Sequence, residues 1–206
     1  MCERCRSIPR ERAAAVVLEE RCPDWRDRDI HESSPIGRGL SLKIRQQATS
    51  YVASQYFRGQ QHGVVISGAR NENLERQTFA DRSFDIVIAL DVLEHVNLPD
   101  AVCREVWRTL RPDGLFLFTA PTYKQLVTSE RRAVYTDTSV LHLAEPDYHG
   151  NPLSAEGSLV TFHYGYDLAE LVAASAPFDV TVVRAVDRTR AILGDMTEVY
   201  ACRVRS

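Results

Sequence analysis

Short aliphatic runs alternate along the chain with stretches of helical periodicity. The clearest run is IVIAL at residues 86–90, which is the length of one interior strand and too short for a buried helix. A helix is predicted at 98–110, with Pro99 in its first turn, and the run LFLFTAP at 115–121 predicts the next buried strand. This alternation predicts an α/β fold with a mostly parallel sheet and helices on both of its faces.

The remaining elements follow the same pattern. Helices are predicted at 7–21, 40–49 and 166–174, and strands at 29–33, 51–57, 64–66, 179–186 and 198–204. Ser7 is the expected cap of the first helix, and the sequence RPDG at 111–114 predicts a turn. We expect one domain over 1–206, with an N-terminal helical extension at 1–25. The irregular segment at 122–165 is too long for a plain connection, so we expect it to cover an acceptor pocket.

The composition fits a single soluble domain. The chain has 206 residues, 44% of them hydrophobic, and a net charge of −3. This charge gives no bulk attraction to nucleic acid or to an anionic membrane, and no apolar run reaches transmembrane length. The start, MCERCRSIPRER, lacks the apolar core of a secretory signal. We therefore expect a cytoplasmic protein with no nucleic-acid or membrane partner, and the oligomeric state is left open.

The cysteines indicate neither disulfides nor a complete metal site. They are odd in number and scattered, namely Cys2, Cys5, Cys22, Cys103 and Cys202. The pair Cys2-x-x-Cys5 has the spacing of half a zinc site, but no second pair follows at a suitable distance. We therefore expect no metal ligands.

Three polar residues follow the strand at 86–90. Asp91, Glu94 and His95 have the spacing i, i+3 and i+4, so a helix here would place them on one face. The carboxyl end of a strand is where open α/β sheets bind ligands. The alternative is a solvated helix start, because acids are favoured near a helix N-terminus.

The order SFD, five aliphatic residues and DVLEHV, followed by EVWRTLRPDGLFLFTAP, resembles the class I S-adenosylmethionine-dependent methyltransferases, and within them the methyltransferase type 11-like group with a VLEHV segment. The N-terminus is similar to a subset that carries a zinc knuckle, of which only one cysteine pair is present. The resemblance implies a Rossmann-like, seven-stranded, mostly parallel sheet with a C-terminal antiparallel hairpin. It also implies S-adenosyl-L-methionine as the cofactor and a small-molecule acceptor, methylated on oxygen or nitrogen.

The resemblance further implies cofactor contacts after the first strand. Glu32 would meet the amino group of the methionine moiety. Ser34, Gly37 and Gly39 occupy the place of the usual glycine-rich turn, where glycine lets the backbone approach the cofactor. Serine and proline replace glycines of the common pattern, so a non-catalytic methyltransferase-like binding or regulatory protein is the alternative.

Further cofactor contacts are implied after the next three strands. Ser54 and Gln55 stand where the family places an acid for the ribose hydroxyls, and an uncharged group forms weaker bonds there. Asn73 and Leu74 would hold the adenine. The residues expected to line the methionine end are Ala89, Leu90 and Asp91.

Histidines are the candidate catalytic groups. His149 and His163 lie in the aromatic and polar segment at 122–165, and His95 is the third candidate. A histidine with a pKa near 6.5 is suited to removing a proton from a hydroxyl acceptor. The alternatives are a loop packed by its own tyrosines and, for His95, a structural hydrogen bond. Asp91-x-x-Glu94-His95 also resembles a metal-binding version of this motif in some related methyltransferases, but a single short motif does not assign a metal.

Overall fold

The fold is given by a computed structural model that describes residues 1–3, 5–151 and 154–205. Its strands are β1 (Asp29–Ser33), β2 (Ser50–Gln55), β3 (Val65–Ile66), β4 (Ala69–Asn71), β5 (Phe84–Leu90), β6 (Leu110–Thr119), β7 (Glu130–Arg131), β8 (Ala133–Tyr135), β9 (Val140–His142), β10 (Tyr148–Asn151), β11 (Ser154–Leu159), β12 (Phe162–His163), β13 (Phe178–Val183) and β14 (Val199–Val204). Its α-helices are α1 (Pro9–Arg21), α2 (Gly39–Gln47), α3 (Pro99–Thr109) and α4 (Leu168–Ser175).

Eight strands form the central sheet, in the order β13-β14-β6-β5-β1-β2-β4-β3. The pairs β6–β5, β5–β1, β1–β2 and β2–β4 are parallel, whereas β14 is antiparallel to both β6 and β13. The predicted Rossmann-like sheet and its C-terminal hairpin are therefore confirmed. The short strand β3 pairs antiparallel to β4 and raises the strand number from seven to eight.

The aliphatic run in β5 is buried on both faces of the sheet. Side chains alternate along a strand, so Ile86 and Ile88 pack with α1 while Val87 and Ala89 pack with α3. The α1 side of this core includes Ala13, Ala14, Val17, Leu18, Leu115 and Leu117. The opposite side includes Val102, Val106, Phe116, Phe118, Leu168 and Val172. The helix at the N-terminus thus forms one wall of the core.

Two local predictions were wrong. The RPDG sequence forms a bulge within β6, because Leu110 pairs with Phe84 while Leu115 pairs with Ile86. The residues between them loop out, and Asp113 takes a left-handed φ of 60° there. Ser7 does not cap α1, since its hydroxyl accepts a hydrogen bond from Arg12 at 3.0 Å. Other than β6, the predicted helix and strand bounds lie within three residues of those observed.

The segment at 122–165 was predicted to be irregular, which was also wrong. It contains six short strands that form three antiparallel pairs, β7–β12, β8–β9 and β10–β11. Strands of two to six residues are too short to show a clear alternating pattern in the sequence. Within the described residues, we find no helix with the length and apolarity needed to cross a membrane.

Candidate active site

The candidate site lies at the carboxyl ends of β1 and β5. These strands are neighbours, but the chain continues from β1 towards β2 and from β5 towards β6, on opposite sides. Such a reversal leaves a crevice where α/β proteins bind ligands. Ser34 and Asp91 directly follow the two strands, and both have a φ of 55°. A left-handed conformation is uncommon outside glycine and is concentrated at functional sites.

Asp91 forms a charged pair at this crevice. Its carboxylate accepts hydrogen bonds from Arg10 Nε at 2.6 Å and from Thr119 Oγ1 at 2.8 Å. The Arg10 and Asp91 side chains remain 25% and 26% exposed, so both can reach a ligand. Sequence reasoning missed Arg10. The available signal was an arginine in the first turn of a helix, where acids are usually favoured.

The expected common helical face of Asp91, Glu94 and His95 is absent, so this prediction was wrong. Leu93–His95 is a single 3-10 turn, and the left-handed Asp91 precedes it. Asp91 therefore faces Arg10 and Thr119, whereas Glu94 and His95 contact the segment at 122–165.

The Glu32 side chain links β1, on which it lies, to α2 and β2 by hydrogen bonds. Its buried carboxylate accepts hydrogen bonds from Ser41 Oγ at 2.5 Å and from Tyr51 OH at 2.8 Å. Burial raises the pKa of Glu32 to about 7, although the two hydrogen bonds oppose this shift. Both carboxylate oxygens thus have a partner, one from α2 and one from β2.

The two glycines of the loop after β1 differ in their surroundings. A Cβ atom at Gly37 would meet no atom within 4 Å, so this part of the backbone faces open space. A Cβ at Gly39 would lie 2.3 Å from Glu11 Oε2, and Gly39 has a φ of 53°. Gly39 is therefore required for packing against α1, while the backbone at Gly37 is accessible to a ligand.

The predicted ribose residues have separate environments. Ser54 Oγ lies 2.7 Å from His31 Nε2 in the buried interior, and burial lowers the pKa of His31 to about 3. Gln55 is half-buried at the end of β2, so its amide, unlike the Ser54 hydroxyl, is partly accessible.

The remaining predicted cofactor residues lie on the loops after β4 and β5. Asn73 Oδ1 accepts a hydrogen bond from the Glu75 backbone N at 2.9 Å, and Leu74 is packed in the core. Ala89 is fully buried, whereas Leu90 is half-buried beside Asp91.

Glu94 lies between two of the predicted catalytic histidines. Its Oε1 is 3.7 Å from His95 Nε2 and 3.6 Å from His149 Nδ1, and the two imidazole rings meet edge-on at 5.3 Å. The Glu94 carboxylate raises the pKa of His149, and this effect outweighs the lowering by partial burial. On its other side, His95 Nδ1 lies 2.9 Å from the backbone oxygen of Leu159.

The third histidine has a carboxylate of its own. His163 Nε2 lies 3.1 Å from Asp147 Oδ2, and the Tyr123 ring stacks on the imidazole at 4.2 Å. Burial raises the pKa of Tyr123, and the nearby carboxylates of Asp147 and Glu94 add to the shift. Asp147 also contributes to the raised pKa of His149, so the segment at 122–165 places both of its predicted histidines in one neighbourhood.

The sheet order and the crevice at its switch point define the class I methyltransferase fold, and comparison with known proteins agrees. Residues 41–118 match the family model described as "Methyltransferase domain". This match confirms the resemblance to the class I S-adenosylmethionine-dependent methyltransferases in the part of the chain that carries the VLEHV segment. No curated protein matches the chain.

Solved structures are similar over nearly the whole chain. A putative S-adenosylmethionine dependent methyltransferase from Listeria monocytogenes is 13% identical, with a TM-score of 0.60, over 94% of this chain and 99% of that one. An S-adenosylmethionine dependent methyltransferase from Mesorhizobium loti is 14% identical, with a TM-score of 0.60, over 93% and 97%. The 1,6-didemethyltoxoflavin-N1-methyltransferase of Burkholderia thailandensis is 17% identical, with a TM-score of 0.54, over 96% and 79%. At these identities the likeness establishes the fold.

Proposed function

We propose that this protein is an S-adenosylmethionine-dependent methyltransferase that acts on an oxygen or nitrogen atom of a small-molecule acceptor. The observation that carries the proposal is that Arg10, which pairs with Asp91 at the crevice, acts electrostatically on both histidine groups. It partly offsets the rise that Glu94 causes in the pKa of His149 and the rise that burial causes in the pKa of Tyr123, which stacks on His163. A further support is the Burkholderia thailandensis structure, which contains 1,6-didemethyltoxoflavin and S-adenosylhomocysteine.

The groups at the crevice fit the charges of this cofactor. Arg10 would bind the methionine carboxylate and Asp91 the ammonium group, because both are partly exposed at the carboxyl end of β5. Gly37 leaves the backbone open to close approach, and Gln55 would bind the ribose hydroxyls. When bound, S-adenosylmethionine supplies an electrophilic methyl group on its sulfonium. We assign Glu32 to holding the loop after β1, because both of its oxygens already accept hydrogen bonds.

Asn73 and Leu74 complete this assignment on the adenine side. The Asn73 side chain closes the turn after β4 through its bond to Glu75, which fixes the backbone there. The neighbouring Leu74 is packed in the core and holds the turn against the sheet. This arrangement leaves the backbone, rather than the Asn73 amide, as the group that would recognise the adenine edge.

We assign the general base to His163. Its Nε2–H donates to Asp147, so a neutral ring keeps its lone pair on Nδ1, which can accept a proton from the acceptor. Tyr123 stacks on the ring and shields it from water. A hydroxyl acceptor needs this proton removed during methyl transfer. A neutral amine depends less on a general base.

The second candidate function is a non-catalytic binding protein with this fold. It is favoured by the absence of an acid at the end of β2 and by the use of the Ser54 hydroxyl in the core. The paired His163 and Asp147 oppose it, because a binding protein does not need a histidine held in one orientation by a carboxylate.

Calorimetric titration with S-adenosylmethionine and S-adenosylhomocysteine tests the proposal. We expect binding that Asp91→Asn weakens and that Asp100→Asn leaves unchanged, because Asp100 forms an exposed pair with Arg104 on α3. No binding at millimolar ligand would contradict the proposed cofactor. S-adenosylhomocysteine release would then be measured with phenols, alcohols and amines. Tight binding without release from any of them favours the non-catalytic alternative.

A further inference from the structure

The Glu94 carboxylate is buried without a hydrogen-bond partner. Its side chain is 2% exposed, and neither oxygen has a donor within hydrogen-bond distance among the described residues. A buried carboxylate of this kind is strongly disfavoured unless a positive charge or several donors compensate it. Ring nitrogens of His95 and His149 lie 3.7 Å and 3.6 Å from Glu94 Oε1, beyond hydrogen-bond distance.

The hydrogen bond between His95 Nδ1 and the Leu159 backbone oxygen fixes the tautomer of the His95 ring. The Leu159 backbone oxygen can only accept, so His95 Nδ1 carries a hydrogen and donates to it at 2.9 Å. In the neutral ring, Nε2 then has no hydrogen and points a lone pair towards the carboxylate. Two acceptors facing each other repel, whereas a shared cation would bind both. Metal-binding histidines are usually oriented by such a bond from the second ring nitrogen to a backbone carbonyl.

The spacing of the three groups suits one ion. One atom each from Glu94, His95 and His149 lies within 4.8 Å of the others. Ligand atoms at about 2.0–2.2 Å from an ion are separated by about 2.8–3.6 Å at angles of about 90–109°. The two distances from the histidine nitrogens to Glu94 Oε1 are close to that range and are longer than hydrogen bonds. Rotation of the His149 side chain can shorten the distance between the His95 and His149 nitrogens.

We propose that Glu94, His95 and His149 bind a divalent transition-metal ion, with zinc as the principal candidate. Two imidazoles and one carboxylate are a ligand set of catalytic zinc and of non-haem iron(II), whereas magnesium and calcium prefer oxygen ligands. Three protein ligands leave at least one coordination position open.

The open coordination position also indicates the chemical class of the methyl acceptor, an inference that rests on the proposed function. A hydroxyl group bound to a divalent ion becomes more acidic, as zinc-bound water does when its pKa falls to about 7. Asp147 immediately precedes β10, two residues before the ligand His149, and it accepts a hydrogen bond from His163, so His163 is the group that would receive the released proton. The structure therefore favours acceptors that carry a metal-binding hydroxyl group over simple amines.

Zinc titration by calorimetry tests the site, with Cys2→Ser/Cys5→Ser as the background because thiolates are themselves zinc ligands and this pair has the spacing of half a zinc site. We expect one zinc ion per chain, no binding of magnesium at the same concentrations, and at least tenfold weaker zinc binding after Glu94→Gln or His149→Ala. His142→Ala is the matched control, since His142 is an exposed histidine of β9 in the same segment. Equal zinc affinity in all these variants, or no zinc binding to the background protein, would overturn the proposal.

Thermal unfolding separates loss of the site from loss of the fold. Zinc should raise the Tm of the background protein and leave that of Glu94→Gln unchanged. Without metal, Glu94→Gln should unfold at a temperature no lower than the background, because the substitution removes a buried carboxylate whose oxygens have no hydrogen-bond partner among the described residues. If Glu94→Gln does not fold, His149→Ala gives the same comparison. Titration with S-adenosylhomocysteine distinguishes the two proposals, since cofactor binding without zinc binding refutes only the metal site.

Discussion

Arg10 Nε and Asp91 Oδ2 lie 2.6 Å apart and join the first turn of α1 to the residue that follows β5. Through this contact, a helix that precedes the whole sheet in the sequence borders the crevice at its centre. Both side chains are partly exposed, so the pair can exchange its mutual contact for contacts with a bound ligand.

We expect Arg10→Gln to weaken binding of S-adenosylhomocysteine by about tenfold or more. A charge-assisted hydrogen bond contributes about 1.5–3 kcal/mol, and glutamine cannot provide the charge. Calorimetry measures the change, with Arg104→Gln as the control because its pair with Asp100 is exposed. An equal effect of both substitutions, or none in Arg10→Gln, would show that Arg10 does not contact the cofactor.

The two glycines after β1 should respond oppositely to alanine. Gly39→Ala should lower the free energy of unfolding by about 1 kcal/mol or more, because of its left-handed φ and its contact with Glu11. Gly37→Ala should leave stability nearly unchanged, since its Cβ would meet no atom within 4 Å, but it should weaken binding of a cofactor that approaches this backbone closely. Urea unfolding and calorimetry measure both effects. Unchanged cofactor affinity in Gly37→Ala would place the ligand away from this loop.

Buried His31 should make the protein sensitive to mild acid. Its pKa is about 3 in the folded chain and near 6.5 when unfolded, so the unfolded state binds the proton at intermediate pH. The stabilising contribution is present above pH 6.5 and falls by about 1.4 kcal/mol for each pH unit below it. In urea unfolding from pH 7 to pH 5, His31→Gln should lose this dependence and the exposed-site variant His142→Gln should keep it. The same slope in all three proteins would refute the assignment.

Glu32 should have the opposite dependence. Its folded pKa of about 7 lies above the reference value of 4.5, so its stabilising contribution is present below pH 4.5 and is lost as the pH rises through 7. Glu32→Gln cannot ionise, so its stability relative to the wild type should improve between pH 5 and pH 8. Urea unfolding at both values tests this expectation. If the stability of Glu32→Gln relative to the wild type instead improved towards acid pH, Glu32 would be ionised in the folded protein at all these pH values.

His163→Ala should reduce turnover by about 10²–10⁴-fold if His163 is the general base. Cofactor affinity should stay nearly unchanged, because the side chain contacts Asp147 and Tyr123 in the segment at 122–165. Turnover with an identified hydroxyl acceptor and calorimetry with S-adenosylhomocysteine are the measurements, and His142→Ala is the control. Wild-type turnover in His163→Ala would assign proton removal elsewhere.

The sheet could be predicted from the sequence because each of its long strands is marked by its own residues. The run at 86–90 is aliphatic throughout, since both faces of β5 are buried. The site could be predicted only in outline. Arg10 contacts Asp91 across 81 positions and His95 contacts Leu159 across 64, and such pairings are decided by how helices and hairpins pack.

The paired strands β10 and β11 contribute to the position of both histidines of the Glu94 cluster. His149 lies on β10, while the Leu159 carbonyl that orients His95 ends β11, and Tyr148 pairs directly with Leu159. Displacement of this one hairpin would remove one histidine and release the ring orientation of the other in the same movement. The two histidines are therefore expected to be gained or lost by the Glu94 site together rather than one at a time.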